Sequence, residues 1–170
     1  MTTERARSLG LPYARLAATI ERHNAFPDDP IQVRGGWALD RGSLYEQAGV
    51  GPAEIDFVEL YDDYPVITAM QLEDLGFCEK GDAPRLIRDN TFTVDGTLPL
   101  NTSGGQLSVG QAGAAGGYLG LVEAIGQLTR HPAGKLVDGA RFGLVSGFGM
   151  INYDRGLCSG AAVLSAVNSA

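Results

Sequence analysis

The residues of this 170-residue chain best suited to chemistry lie in one glycine-rich stretch. From Asn101 to Gly117 the sequence reads NTSGGQLSVGQAGAAGG, six glycines in 17 residues, running into a segment with helical spacing. Glycine permits positive φ and close backbone approach, and a helix start presents N–H groups without intrahelical partners. Such a loop suits a phosphate or the oxyanion of a polarised carbonyl. Neither G-x-x-x-x-G-K-[ST] nor G-x-G-x-x-G is present, so nothing here signals a nucleotide cradle. Tight helix packing through small residues accounts for the same composition equally well.

Other reactive side chains are sparse. Cys78, Cys158, His23 and His131 are too few and too scattered to announce a zinc site, and no metal is expected. His23 and His131 read as surface histidines. Asp28–Asp29 and Asp62–Asp63 are local acid pairs that a solvated loop explains without a cation. Tyr61 to Tyr64, followed by Pro65, has the make-up of a polar turn before a helix.

These residues need elements to position them, and periodicity with breakers supplies a coarse set. Thr3–Leu9 reads as a short helix stopped by Gly10, and Tyr13–Ile20 as a strand. Residues 24–42, with Pro27, Asp28, Asp29 and Pro30 in a row and the paired Gly35 and Gly36, read as an irregular loop. Ser43 is placed to cap a helix reaching Ala48, with Gly49 as its stop. Ile55–Tyr61 is the best strand of the front half, and Thr68–Leu75 a helix ended by Gly76. Residues 80–100 read as a second irregular connection. Gly113–Leu128 has helical spacing of Tyr118, Leu121, Val122, Ile125 and Leu128, while Arg141–Ser146 and Ala161–Val167 read as apolar strands. Alternating strands and helices predict a single layered α/β domain over residues 1–170.

Composition narrows the function. The chain carries 13 basic and 20 acidic residues, a net charge of −7, which opposes nucleic acid and anionic membranes. No apolar signal-like run follows the charged N-terminus, and the longest uncharged run, Gly96–Val122, is too polar and glycine-rich to span a bilayer. A reducing cytoplasm with both thiols free is the expectation. Residues 1–100 hold 17 acids and 9 bases, whereas residues 101–170 hold 3 and 4, with 15 of the 24 glycines. The back part therefore reads as buried or covered by a partner.

The glycine stretch also resembles a family pattern. Asn101, Ser103, Gly104 and Gly105 match the N-x-S-G-G of thiolases, and Gly110 and Gly113 lie where the family has G-H-P-x-G, with one residue missing between them. The following helix supplies Glu123, Gln127 and Leu128 for E-x-x-x-Q-L. Upstream, VELYDDY from Val58 to Tyr64 resembles the V-E-L-H-D-C-F of the sterol-carrier-protein-x type thiolases, and Glu73–Cys78 its E-x-L-G-hydrophobic-C. Cys158-Ser159-Gly160 fits the start of the C-x-G signature, although Ala161 and Ala162 replace the glycines that usually follow.

The resemblance implies an α/β fold of the C-terminal thiolase half, a layered mixed sheet with helices on its faces. The half that carries the nucleophilic cysteine of thiolases is not matched. The resemblance makes Cys158 the acid/base at the carbon α to a thioester, Tyr61 an oxyanion donor and Gln111 a positioning group. Asn101, Ser103, Gly104, Gly105, Gly110 and Gly160 become the substrate-binding set. Gln111 stands where the family has its activating histidine, and Tyr61 where it has the histidine of H-D-C-F. Glutamine does not titrate near neutrality, so it orients rather than acts as a base.

Three functions follow as expectations. The first is a subunit of a thiolase-like acyl-CoA enzyme making or breaking C–C bonds in fatty-acid or sterol side-chain degradation. The second is a retro-aldolase on a β-hydroxyacyl-CoA that uses Tyr61 and Tyr153 and works with a zinc-ribbon OB-fold partner. The third is a non-catalytic assembly subunit. The coenzyme A thioester is substrate in the first two, no tightly bound cofactor is expected, and a homo-oligomer or a hetero-oligomer with a thiolase-like N-terminal half should cover the apolar surface.

Overall fold

The computed structural model describes residues 1–111, 113–152 and 155–167. Its core is a four-stranded mixed sheet in the order β1-β4-β3-β2, built from β1 (Tyr13–His23), β2 (Phe57–Glu59), β3 (Phe142–Asn152) and β4 (Arg155–Val167). β4 pairs antiparallel with both β1 and β3, and β2 pairs parallel with β3. The helices are α1 (Thr3–Ser8), α2 (Trp37–Ala48), α3 (Pro65–Asp74), α4 (Ala83–Asp89), α5 (Gly105–Val109) and α6 (Leu119–Leu128). The layered α/β architecture with a mixed sheet is the one expected.

Alternation along β3 sorts the layers, because successive side chains of a strand point to opposite faces. Leu144 and Phe148 join a core with Trp37 and Leu44 of α2 and Met70 and Leu72 of α3. Val145, between them, joins Ala124 and Leu128 of α6 and Phe57 of β2. The sheet is thus sandwiched, with α2 and α3 on one face and α6 on the other.

Several boundaries differ from the sequence reading, each for a tertiary reason. The loop expected over residues 24–42 ends at Gly36, and Ser43 sits inside α2 rather than at its cap. Trp37 starts that helix because its ring is fully buried, stacks 5.7 Å from Phe148, and donates its indole N–H to Gly160 O at 2.8 Å. The connection over 80–100 contains α4, begun by a proline in its first turn. β3 and β4 extend beyond the apolar runs, with Gly147 and Gly160 in register between them. The helix expected over 113–128 is a 3₁₀ turn, Gly113–Tyr118, leading into α6, and the stretch before it contains α5.

α6 turns the less expected side inward. Glu123 and Gln127 are almost fully buried, while Val122 is 66% and Tyr118 is 65% exposed. Its apolar residues divide: Ala124 and Leu128 pack inward, while Val122 and Ile125 stay exposed.

Gly143 of β3 lies under the Phe57 ring, and a Cβ there would stand 2.3 Å from Cζ. Gly143→Ala therefore overpacks the α6 side of the sheet. It should lower unfolding stability by about 1–3 kcal/mol, read as a fall in the urea midpoint with an unchanged m-value.

Candidate active site

The site is built where β2 leaves the sheet. Pro99–Asn101 runs alongside β2: Val58 N–H donates to Pro99 O and Asn101 N–H to Val58 O, each at 2.9 Å. The Asn101 side-chain oxygen accepts from Leu60 N–H at 2.7 Å, with Asn101 itself at φ +48°. This extra pairing carries the glycine loop to the end of β2, beside Tyr61. A turn follows, with Gly104 N–H donating to Asn101 O at 2.7 Å. Gly105 has φ +64°, and a Cβ there would meet Asp62 Oδ2 at 2.1 Å, so both conformation and space demand glycine.

Asp62 explains that crowding. Its carboxylate is buried and accepts from the Gln106 N–H at 2.8 Å and the Leu107 N–H at 3.4 Å. The first donors of α5, which the sequence offered to a substrate oxyanion, are therefore occupied within the chain. Asp62 is a buried cap rather than an acid of a solvated loop.

Tyr61 is fixed through its backbone. The fully buried Gln71 of α3 accepts from Tyr61 N–H at 3.2 Å and donates to Tyr61 O at 2.6 Å, while contacting the Ser146 hydroxyl of β3. The tyrosine ring packs 6.3 Å from Phe148. Its hydroxyl oxygen accepts a hydrogen bond from Gln111 Nε2 at 2.9 Å. Gly110, at φ +107°, ends α5 and turns the chain into Gln111. Partial burial and the neighbouring Asp63 raise the Tyr61 pKa, outweighing the opposing Gln111 hydrogen bond. The phenol keeps its proton, and because its oxygen already accepts from Gln111, that proton is free for a further acceptor.

Below Tyr61 lies a carboxyl network the sequence reading missed. Thr102 Oγ1 stands 2.8 Å from both Glu59 Oε1 and Glu123 Oε1, and accepts from Gln127 Nε2 at 3.0 Å. Glu123 also accepts from Ala133 N–H at 2.9 Å, and Gln127 from Val137 N–H at 2.8 Å. A single hydroxyl proton cannot serve both carboxylates, so the network needs one more. Burial, reinforced by Glu123 and Asp62 and opposed by Thr102, pushes Glu59 up to about 7. An acid inside the most buried strand was the available signal. Glu59, Tyr61, Asn101, Ser103 and Gly105 line a small, partly open pocket of about 20 Å³, room for one water. Gln106 Oε1, also buried at its edge, has no protein partner.

Of the expected residues, the structure brings Tyr61, Gln111, Asn101, Ser103, Gly104, Gly105 and Gly110 to one end of the sheet. Cys158 and Gly160 lie along β4. Cys158 Sγ is 3.8 Å from His23 Nε2, and that nitrogen is 2.5 Å from Glu21 Oε1. Burial and the Glu21 carboxylate push the Cys158 thiol up, so it holds its proton. His23, expected as a surface histidine, is exposed and lies beside Cys158. Tyr153 lies outside the described residues. A wide, mainly apolar groove of about 820 Å³ is walled by Ile31, Val33, Val66, Met70 and Phe148. No helix among the described residues is long and apolar enough to cross a membrane.

Glu59 gives the site a pH signature. Its folded pKa lies above the ordinary value of 4.5, so the folded chain binds more protons than the unfolded one between these values. Stability from this group is complete below pH 4.5 and declines as pH rises to about 7, by up to about 3 kcal/mol. Glu59→Gln should flatten that decline, measured as the difference in urea-unfolding free energy between pH 5 and pH 8.

With the geometry in hand, the relatives become informative. Residues 41–158 match the family model described as thiolase C-terminal domain-like. A 17-hydroxy-3-oxo-4-pregnene-20-carboxyl-CoA lyase of Mycobacterium tuberculosis is 45% identical over half of this chain and 21% of its own length. A steroid side-chain-cleaving aldolase of Thermomonospora curvata is 35% identical over 74% of this chain and 33% of its own length. A solved Ltp2-ChsH2(DUF35) aldolase chain superposes with a TM-score of 0.81 at 30% identity, covering 96% of this chain and 42% of that one. The chain thus spans between a fifth and two fifths of the length of these proteins. Family match and structural superposition agree, and the chain belongs to the thiolase C-terminal domain-like family.

Proposed function

We propose that this chain forms one part of an acyl-CoA enzyme that cleaves a carbon–carbon bond by a retro-aldol reaction, in a complex with a second protein. The observation that carries the reading is the Tyr61–Gln111 pair. A protonated phenol, oriented by an amide, stands where the family pattern has histidines.

The chemistry fits that pair. In retro-aldol cleavage of a β-hydroxyacyl-CoA a base removes the β-hydroxyl proton, a carbonyl forms at Cβ, and the Cα–Cβ bond breaks. The bonding electrons pass to the thioester as an enolate, whose α-carbon then takes a proton. No acyl-enzyme is required. Tyr61, with its proton directed away from Gln111, donates to the enolate oxygen as charge develops there. It is not the base, because its pKa is raised rather than lowered. Tyr153 is this chain's candidate for that step.

Two further features support the reading. The names of the relatives in Mycobacterium and Thermomonospora describe a carboxyl-CoA lyase and a steroid side-chain aldolase. The apolar groove lined by Phe148, whose ring packs near Tyr61, offers a wall for a bulky acyl group. We assign the chain to the cytoplasm, where its two free thiols stay reduced.

A second reading has its own observation. Cys158, close to His23, would be the acid/base at the α-carbon in thiolase-type chemistry. The two readings separate in the assembled complex, assayed on β-hydroxyacyl-CoA and on acyl-CoA substrates. Tyr61→Phe should lower kcat for cleavage by about 10²–10³-fold, the cost of one oxyanion donor, with Cys158→Ala close to wild type. The reverse pattern would establish the thiolase reading, and loss with neither variant would sink both.

The partner is proposed from α6. Val122, Tyr118 and Ile125 form an outward apolar stripe that a soluble chain covers by association. Val122→Asp with Ile125→Asp should abolish co-purification with the second protein recovered from the native host, while the circular-dichroism spectrum of the chain is preserved. Undiminished co-purification would place the interface elsewhere.

A further inference from the structure

Three chemically different donor groups meet on the α6 side of β1 and β4. Glu21 and His23 are two apart on β1 and so share a face, and Cys158 is the register partner of His23 on β4. The adjacent Asn24 N–H donates to Leu157 O at 2.8 Å, which makes His23–Cys158 the close, non-hydrogen-bonded kind of pair. Glu21 faces Gly160, whose missing side chain lets the carboxylate lean toward His23.

The direction of approach decides what the cluster can be. In a catalytic relay the imidazole uses one nitrogen for the nucleophile and the other for the carboxylate. Here His23 Nε2 faces both Glu21 Oε1, at 2.5 Å, and Cys158 Sγ, at 3.8 Å. One ligand atom from each residue lies within 4.8 Å of the other two. Donors converging on one point suit a cation between them. Tetrahedral zinc with bonds of about 2.0–2.3 Å sets sulfur and nitrogen about 3.6 Å apart, close to the spacing present. The exposed Glu21 carboxylate needs to open by under about 1 Å to complete the set.

The surroundings supply a second, independent observation. Gly147, Gly149 and Gly160 lie beside the cluster on the same face, paired in register as Gly147 with Gly160 and Gly149 with Cys158. None has positive φ, a Cβ at Gly147 or Gly149 would meet nothing within 4 Å, and one at Gly160 only Ile20 O at 3.7 Å. Neither backbone conformation nor packing requires glycine at these positions. Their effect is an open floor over which a fourth ligand can approach.

We propose that Glu21, His23 and Cys158 bind a divalent transition-metal ion of the zinc class, with three protein ligands and one open position. Binding replaces the thiol proton: the metal–sulfur bond forms, the S–H bond breaks, and one proton goes to solvent. His23 binds through the Nε2 lone pair, so its ring proton resides on Nδ1. The thiolate and the Glu21 carboxylate together balance the two positive charges. The site stands independently of the Tyr61 reading, and a metal held there would withdraw Cys158 from proton transfer.

The test titrates the reduced full chain with Co²⁺, followed by competition with Zn²⁺. The expected result is one equivalent bound, a thiolate-to-cobalt charge-transfer band, release of one proton, and loss of the band on adding Zn²⁺. Cys158→Ser and His23→Ala should each remove the band and weaken binding by more than the roughly 10–100-fold that an outer-sphere partner is worth. Cys78→Ala should leave both unchanged. Metal-free melting midpoints equal to wild type establish that the variants are folded, and a metal-induced rise should then occur only in wild type and Cys78→Ala. Absence of the band in the wild-type chain overturns the proposal, as does a band that survives in Cys158→Ser or His23→Ala.

Discussion

Two carboxyl groups taken out of water, Glu59 and Glu123, govern the back half of this protein. A buried carboxyl without hydrogen-bond partners costs several kcal/mol, so the chain must arrange partners around both. Thr102 bridges them, Gln127 completes the bridge, and backbone N–H groups between Ala133 and Val137 close it from the far side. That one network ties β2, the glycine loop, α6 and the segment entering β3. It also decides how α6 is rotated. To deliver Glu123 and Gln127 inward, the helix must show Val122 and Ile125 to the outside.

The catalytic candidates inherit their positions from this frame. Thr102 N–H donates to Glu59, which holds the loop down at Asn101, and Asn101 in turn pairs with Leu60. Gln71 grips Tyr61 from the opposite layer, acting on its backbone as a neighbouring strand would. Tyr61 is therefore held from both faces of the sheet, with only its hydroxyl left to choose a partner. Such pre-organisation lets a donor meet developing charge with little reorganisation.

Much of this was legible in the sequence, and the gaps have physical causes. The layered α/β class followed from strand and helix periods, the mixed sheet from the resemblance to thiolases, and the glycine loop was visible as a functional candidate from its composition and that resemblance. Tyr61 and Gln111 were singled out, and they are hydrogen-bonded although 50 positions apart. The reading failed where tertiary contact outweighs local pattern. α2 begins at Trp37 because its indole has a carbonyl to reach on β4, which no local rule reveals. Asp62 looked like a solvated acid because its caps lie more than 40 residues away. The pairing of His23 with Cys158 was not visible because strand register, rather than spacing along the chain, sets its neighbours.

The rotation of α6 carries a consequence for how the chain behaves in a cell. Val122, Ile125 and Tyr118 leave oily surface exposed at α6 even when folding is complete. Proteins with such surfaces associate as their concentration rises, correctly if the complementary surface is present and indiscriminately if it is not. Dosage then matters as much as fold: chain made in excess of whatever covers α6 becomes the material that aggregates or is degraded first.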